Sequence, residues 1–170
     1  MKIIIGFSKP KNKIFPWFSW LIRLYQNTEY SHVYIRWEAR GISENICYQA
    51  SGSQVNFIGS DVFAKEIQPI FEYEMLQDLS VEQRRNLFKF AISKAGKPYG
   101  IKEVFGLLYS RFIDNSHNKL DDEEHYICSE LISTILKDEL EVDLGKEASM
   151  TMPVDIQKYL DKSLLFKRIL

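Results

Sequence analysis

A change of hydrophobic period near residue 76 constrains this fold more than any other feature of the chain. Before it, apolar residues run in short continuous or alternating stretches, as strands require. "KIIIGF" reads as a β-branched, buried first strand. "YSHVYIRW" alternates, with Val33, Ile35 and Trp37 on one face and His32, Tyr34 and Arg36 on the more polar other. "ICYQAS" is its hairpin partner across the turn "ARGISEN", and "SQVNFIG" extends the sheet. "SDVFAKE" forms one helical turn entered from Ser60 or Asp61. "IQPIFEYEML" is a further strand, with Pro69 marking an edge.

After residue 76 the apolar spacing becomes helical. Ser80 and Gln83 make a capping box ahead of a helix with Leu87, Phe88, Ala91 and Ala95 on its apolar face, and Gly96 stops it. "KPYG" is a turn, "IKEVFGLLYSRF" a second helix, "IDNSHNKLDDEEH" a polar loop and "CSELISTIL" a third helix. "MPVDIQKYLDK" gives a short final helix and "SLLFKRIL" a last strand. One helix interrupts the strand region. Pro16 suits the first turn of "PWFSWLIRLYQ", where Trp17, Trp20, Leu21 and Leu24 recur at helical spacing as a packing face or, on a second reading, a partner or membrane contact. The expectation is a single α+β domain over residues 1–170, an antiparallel sheet packed on a helical block.

Composition excludes several classes. With 170 residues, 14% of them aromatic, the chain is long enough to bury a substantial core without staples. A formal net charge of −1 argues against nucleic acid as a partner. "KPKNK" reads as a solvated loop. Two cysteines, Cys47 and Cys128, are too few for a disulfide scaffold. No stretch has the length of a transmembrane segment, and "MKIIIGFSKPKNK" lacks a secretory cleavage site, so a soluble cytoplasmic chain is expected.

Cys128 is the residue on which a functional reading turns. It opens "CSELISTIL", in register with Leu131, Ile132, Ile135 and Leu136 on the inward stripe. Two readings follow: a small hydrophobe in a core, or a nucleophile whose thiolate is favoured by the partial positive charge of a helix N-terminus. Asp121, Asp122, Glu123 and Glu124 stand upstream and oppose the thiolate if they fold near it. A base is then needed. His117 and His125 belong to the polar loop, whereas His32 lies on a rigid strand. His125 and Cys128 have the spacing of half a zinc site, with no second pair of ligands, so no metal or other cofactor is expected. Gln49 is the best orienter of the imidazole, ahead of Glu38 and Glu44 in the turn.

These stretches, in this order, resemble the circularly permuted NlpC-type papain-like cysteine hydrolases, a group with small bacterial amidases and relatives of lecithin:retinol acyltransferase. "YSHVYI" is similar to the family's Ser-His-Val strand, "CYQASGSQV" to the next strand, "YICSELIS" to the nucleophile helix and "GKPYG" to its Gly-x-Pro-Tyr turn. The likeness runs from about Tyr30 to Leu136. It implies a permuted papain-like fold with Cys128 as nucleophile, His32 as base, Gln49 as orienter and Tyr99 lining the site. Where this chain has Gln49, relatives with strong acyl-transfer chemistry often carry a carboxylate or histidine. The implied substrate is a peptide or isopeptide amide, cell-wall peptidoglycan first and a lipid ester second. The rival reading is a non-catalytic protein-binding module on the same scaffold.

Overall fold

The computed structural model describes residues 1–11, 16–38, 45–113, 117, 118, 120, 122 and 124–170, and of residues 16, 17 and 18 the backbone alone. Glu44, most of "ARGISEN", the Trp17 side chain, Asp121, Glu123 and parts of "KPKNK" and the polar loop lie outside it.

The chain is α+β. Six strands, β1 (Lys2–Pro10), β2 (His32–Glu38), β3 (Ile46–Ser51), β4 (Gln54–Gly59), β5 (Ile67–Met75) and β6 (Phe166–Arg168), form one antiparallel sheet in the order β4-β3-β2-β1-β5-β6. The helices are α1 (Pro16–Gln26), α2 (Ser60–Glu66), α3 (Val81–Lys94), α4 (Ile101–Phe112), α5 (Cys128–Thr134) and α6 (Pro153–Leu160). A π-turn over Ile135–Glu139 continues α5, and a 3₁₀ turn covers Ala148–Met150.

The alternation in the sequence sets the two faces of the sheet. Ile3, Ile5 and Phe7 of β1, Val33, Ile35 and Trp37 of β2, Tyr48 and Ala50 of β3 and Tyr73 of β5 build the main core, closed by Leu87 and Ala91 of α3 and Leu131 and Ile132 of α5. Trp37 anchors it with Tyr48 at 5.4 Å and Phe88 at 5.0 Å between ring centroids. Truncating a fully buried residue such as Leu87 costs about 2–5 kcal/mol in such a site. Ala95, expected on the apolar face of α3, is instead its exposed C-cap.

The second face is not open to water. Tyr34, Cys47, Phe63 and Ile67 form their own cluster beneath α2, so the polar side of β2 is buried too. Its charges are paired: Arg36 Nη2 lies 2.7 Å from Glu72 Oε2, and the Tyr34 hydroxyl donates to Glu72 Oε1 at 2.7 Å. The same face brings Tyr34 against Gly6 of β1, where an added Cβ would meet the ring at 2.1 Å.

Three local expectations change. Helix α2 spans two turns rather than one, and Gly59 precedes it without a side-chain cap. Strand β5 is internal where β6 pairs with Tyr73–Met75, whereas Pro69 lies beyond the reach of β6, where a missing N–H costs no ladder bond. Among the described side chains of α1 the buried ones are Ser19 and Ile22, while Trp20 is 55% and Leu24 61% exposed. Helical spacing marked a stripe correctly but could not say which way it faced.

Candidate active site at the start of β2 and α5

The turn "GKPYG" is sewn into the sheet by backbone bonds. Gly96 adopts φ +85°, which glycine tolerates, and its N–H donates to Val55 O at 2.8 Å. Val55 N–H returns to Lys97 O at 2.8 Å, and Tyr99 N–H reaches Ser53 O at 2.9 Å. The turn is also bridged to the segment leading into α5, since Tyr126 N–H donates to Pro98 O at 3.1 Å and Gly100 N–H to Tyr126 O at 3.0 Å. Tyr99 is thereby fixed two residues from the start of the cysteine helix.

Helix α5 begins at Cys128, with Ile127 extended before it as N-cap (φ −91°, ψ 157°). Glu130 Oε2 accepts the Ile127 N–H at 3.5 Å. The sulfur faces the backbone N–H groups of Val33, Ser129 and Cys128 and the Tyr99 hydroxyl, all of which favour the thiolate. Burial outweighs them. Cys128 is 4% exposed, and its pKa lies above that of an ordinary thiol because burial penalises the charged form. The thiolate expected from helix position alone is therefore not the resting form. Burial, not the acidic run, is the reason: of the four acids, Asp122 and Glu124 are described, and both are exposed, pairing with His125 and Lys97.

His32 opens β2 and is 8% exposed. Gln49 of β3 holds it on the same sheet face, with 2.7 Å between His32 Nε2 and Gln49 Oε1. Burial lowers the imidazole to about 4, and the Gln49 bond offsets part of that. At neutral pH the ring is uncharged, its proton on Nε2 toward the amide oxygen and its lone pair on Nδ1. Glu38, the alternative orienter within the described residues, is instead bound to Arg36 at 2.6 Å.

The site is thus built from two pairs, His32 with Gln49 and Cys128 with Tyr99. Both pairs touch the start of β2: His32 is its first residue, and the backbone partner of the sulfur is Val33, the residue after it. Among the described residues no hydrogen bond or ion pair joins imidazole to sulfur. Tyr99 is half-buried with its hydroxyl turned to the sulfur, and burial first, then Cys128, raises its pKa well above the usual phenol value. The two thiols are both free, with Cys47 in the cluster on the far side of the sheet from α5.

Sequence reading missed three contributors. Val33 acts through its backbone, which no side-chain pattern reveals. Ser31, one residue before His32, bonds Ser19 of α1 at 2.6 Å between hydroxyl oxygens and so anchors that helix beside the site. Ser8 pairs across from His32, and its hydroxyl is buried without a hydrogen-bond partner.

No protein-family model and no curated protein matches this chain. A solved structure does: the crystal structure of metalloprotein yiiX from Escherichia coli O157:H7, DUF1105, superposes with a TM-score of 0.63 at 14% identity, over 99% of this chain and 94% of that one. At that identity the likeness is one of fold. None of the described helices is long and apolar enough to cross a membrane.

Proposed function

We propose that this protein is a thiol hydrolase of permuted papain-like fold that cleaves an amide through an acyl-enzyme on Cys128. The observation that carries the reading is the alignment of groups around β2: Gln49 accepts from Nε2 of a neutral His32, and the sulfur of Cys128 rests on the N–H of the next residue. A neutral imidazole with a lone pair on Nδ1 is the form a general base needs. His32 takes the thiol proton as the sulfur attacks the carbonyl. The charged pair forms only during reaction, since burial disfavours a standing thiolate–imidazolium. The N–H groups that face the sulfur stabilise the oxyanion, and His32 then returns its proton to the leaving amine. Water activated by the same ring releases the acyl group. Gln49 keeps the tautomer, and Tyr99 braces the sulfur. A neutral amide stabilises the imidazolium less than a carboxylate does, so turnover is slow.

Cell-wall peptide or another isopeptide-like amide is the first substrate class, with a lipid ester second. Helix α1, tied to Ser31 and exposing Trp20 and Leu24, supplies one wall of the groove and favours a substrate with an apolar portion. A library of peptide and isopeptide amides, assayed with the full chain, tests this: hydrolysis is expected to vanish in both Cys128→Ala and His32→Ala, with the acyl mass trapped on the wild-type enzyme alone. Hydrolysis that survives either substitution refutes it. The binding-module alternative predicts no turnover and no acyl adduct on any member.

A further inference from the structure

A carboxylate of α4 meets two residues of the later polar loop beside that helix. Glu103 of its first turn, Asp122 of the polar loop and His125, three residues before Cys128, each present one ligand atom, and the three atoms lie within 4.8 Å of one another. His125 Nδ1 stands 3.1 Å from Asp122 Oδ2 and 3.7 Å from Glu103 Oε1. Donors on a tetrahedral zinc ion sit about 3.4 Å apart, so these separations need only small adjustment.

An ion-pair cluster without metal is the plain alternative, and Glu103 argues against it. This carboxylate is 3% exposed, a depth at which charge is costly unless paired. Among the described residues nothing donates a hydrogen bond to its side chain, and the His125 imidazole, at 3.7 Å, lies beyond hydrogen-bond length. A protonated His125 would satisfy Asp122 at 3.1 Å and leave Glu103 without a donor. A divalent cation satisfies both carboxylates at once. Asp122 is already oriented for that role, since its Oδ1 accepts the Glu124 N–H at 3.0 Å while Oδ2 faces the cluster.

We infer that Glu103, Asp122 and His125 form a binding site for a divalent transition-metal ion, zinc first. Two carboxylates balance the charge of the ion, and the imidazole selects a borderline metal over magnesium or calcium. Three protein ligands leave a coordination position for water. The bound ion ties α4 to the segment that carries Tyr126 and leads into Cys128, so it clamps the approach to α5 without requiring the sulfur. The inference stands whether or not the chain is a hydrolase.

Calorimetric titration of the full chain with zinc alone tests it, alongside the visible spectrum of the cobalt(II)-loaded protein. Wild type is expected to bind one ion saturably, to melt at a higher temperature when loaded, and to show a ligand-field band without thiolate charge transfer. Glu103→Gln and His125→Asn should each bind at least about tenfold more weakly, while Cys128→Ser binds as wild type. Glu103 is buried and its variant can misfold; half-exposed His125 then carries the comparison. Absence of saturable binding overturns the inference. So does binding unchanged in both ligand variants, or loss in Cys128→Ser with a thiolate band in wild type.

Discussion

The imidazole of His32 donates from Nε2 to Oε1 of Gln49 across 2.7 Å, which leaves Nδ1 as its basic nitrogen. Burial meanwhile lowers the ring to about 4, so the base is neutral at the cost of being weak. Replacing the amide by a carboxylate changes that balance. Gln49→Glu places a negative charge against the ring and should raise the His32 midpoint by about one pH unit or more. An NMR titration of the imidazole C–H resonances reads it. An unmoved midpoint would mean that residue 49 does not contact the ring in solution.

The same shift makes stability depend on pH with a definite sign. Below pH 6.5 the unfolded chain takes up a proton at this histidine that the folded chain refuses until about pH 4. The unfolded state therefore binds more protons in that window, and stability falls with acidification. The contribution is complete above pH 6.5, is lost as pH passes down through about 4, and amounts to about 3 kcal/mol at most. Urea unfolding across this window should show a smaller decline in His32→Gln than in wild type. Parallel curves for the two proteins would contradict a buried neutral imidazole.

Thiol reactivity should separate the two cysteines. Cys47 is pushed up to about 12 by burial and is sealed beneath α2. Cys128 is also raised by burial, but backbone N–H groups and the Tyr99 hydroxyl partly offset it. Iodoacetamide should therefore label Cys128 first, slowly, with a rate midpoint above the ~8.5 of a free thiol. Tyr99→Phe removes one stabiliser of the thiolate and should slow labelling further. Intact mass after limited exposure distinguishes these outcomes, and a midpoint below that of a free thiol would show that the helix end outweighs burial.

Much of this architecture was legible before coordinates. Strand alternation assigned Val33, Ile35 and Trp37 to the core and His32 to the other face, and the Ser80–Gln83 box fixed where α3 begins. Two pairings were legible as residue types, since His32 meets Gln49 and Cys128 meets Tyr99, while the pairing of Cys128 with His32 stays a proposal. What stayed hidden was depth. A histidine on the polar side of a strand reads as solvated, but His32 is 8% exposed, and further along the same face Phe63 of α2 covers Tyr34. The sequence likewise offered His125 only as half of a cysteine-paired zinc site, set aside for want of a second pair of ligands. In the fold it stands beside Asp122, three residues before it, and Glu103 of α4, whose approach spacing along the chain does not encode.

Gly6 is required by a neighbour and not by its own backbone. Its cross-strand partner Tyr34 lies flat over it, and any Cβ there falls inside the ring. Tyr34 cannot retreat easily, since Phe63 packs against it, tilted at 53° with centroids 4.4 Å apart, and Glu72 holds its hydroxyl. Gly6→Ala should therefore destabilise by about 2 kcal/mol or more, at the upper end of overpacking penalties. In the Tyr34→Ala background the same substitution should cost much less, a coupling that a double-mutant cycle in urea measures. Additive effects would show that the ring does not cover Gly6.

The faces of α1 give the last test, because the helical spacing and the structure disagree there. Ile22 is 6% exposed and packs with Val104, Leu107 and Ile127, whereas Leu24 projects from the same helix at 61% exposure. Ile22→Ala should cost about 2–5 kcal/mol, as truncations in a packed core do. Leu24→Glu should change stability by no more than about 0.5 kcal/mol, since the side chain it replaces is already largely in water. If the helix instead lines an amide-binding groove, Leu24→Glu raises KM for apolar substrates while leaving the unfolding curve in place. A large loss of stability from Leu24→Glu would mean that the helix turns its Trp20–Leu24 stripe inward, as the spacing alone implied.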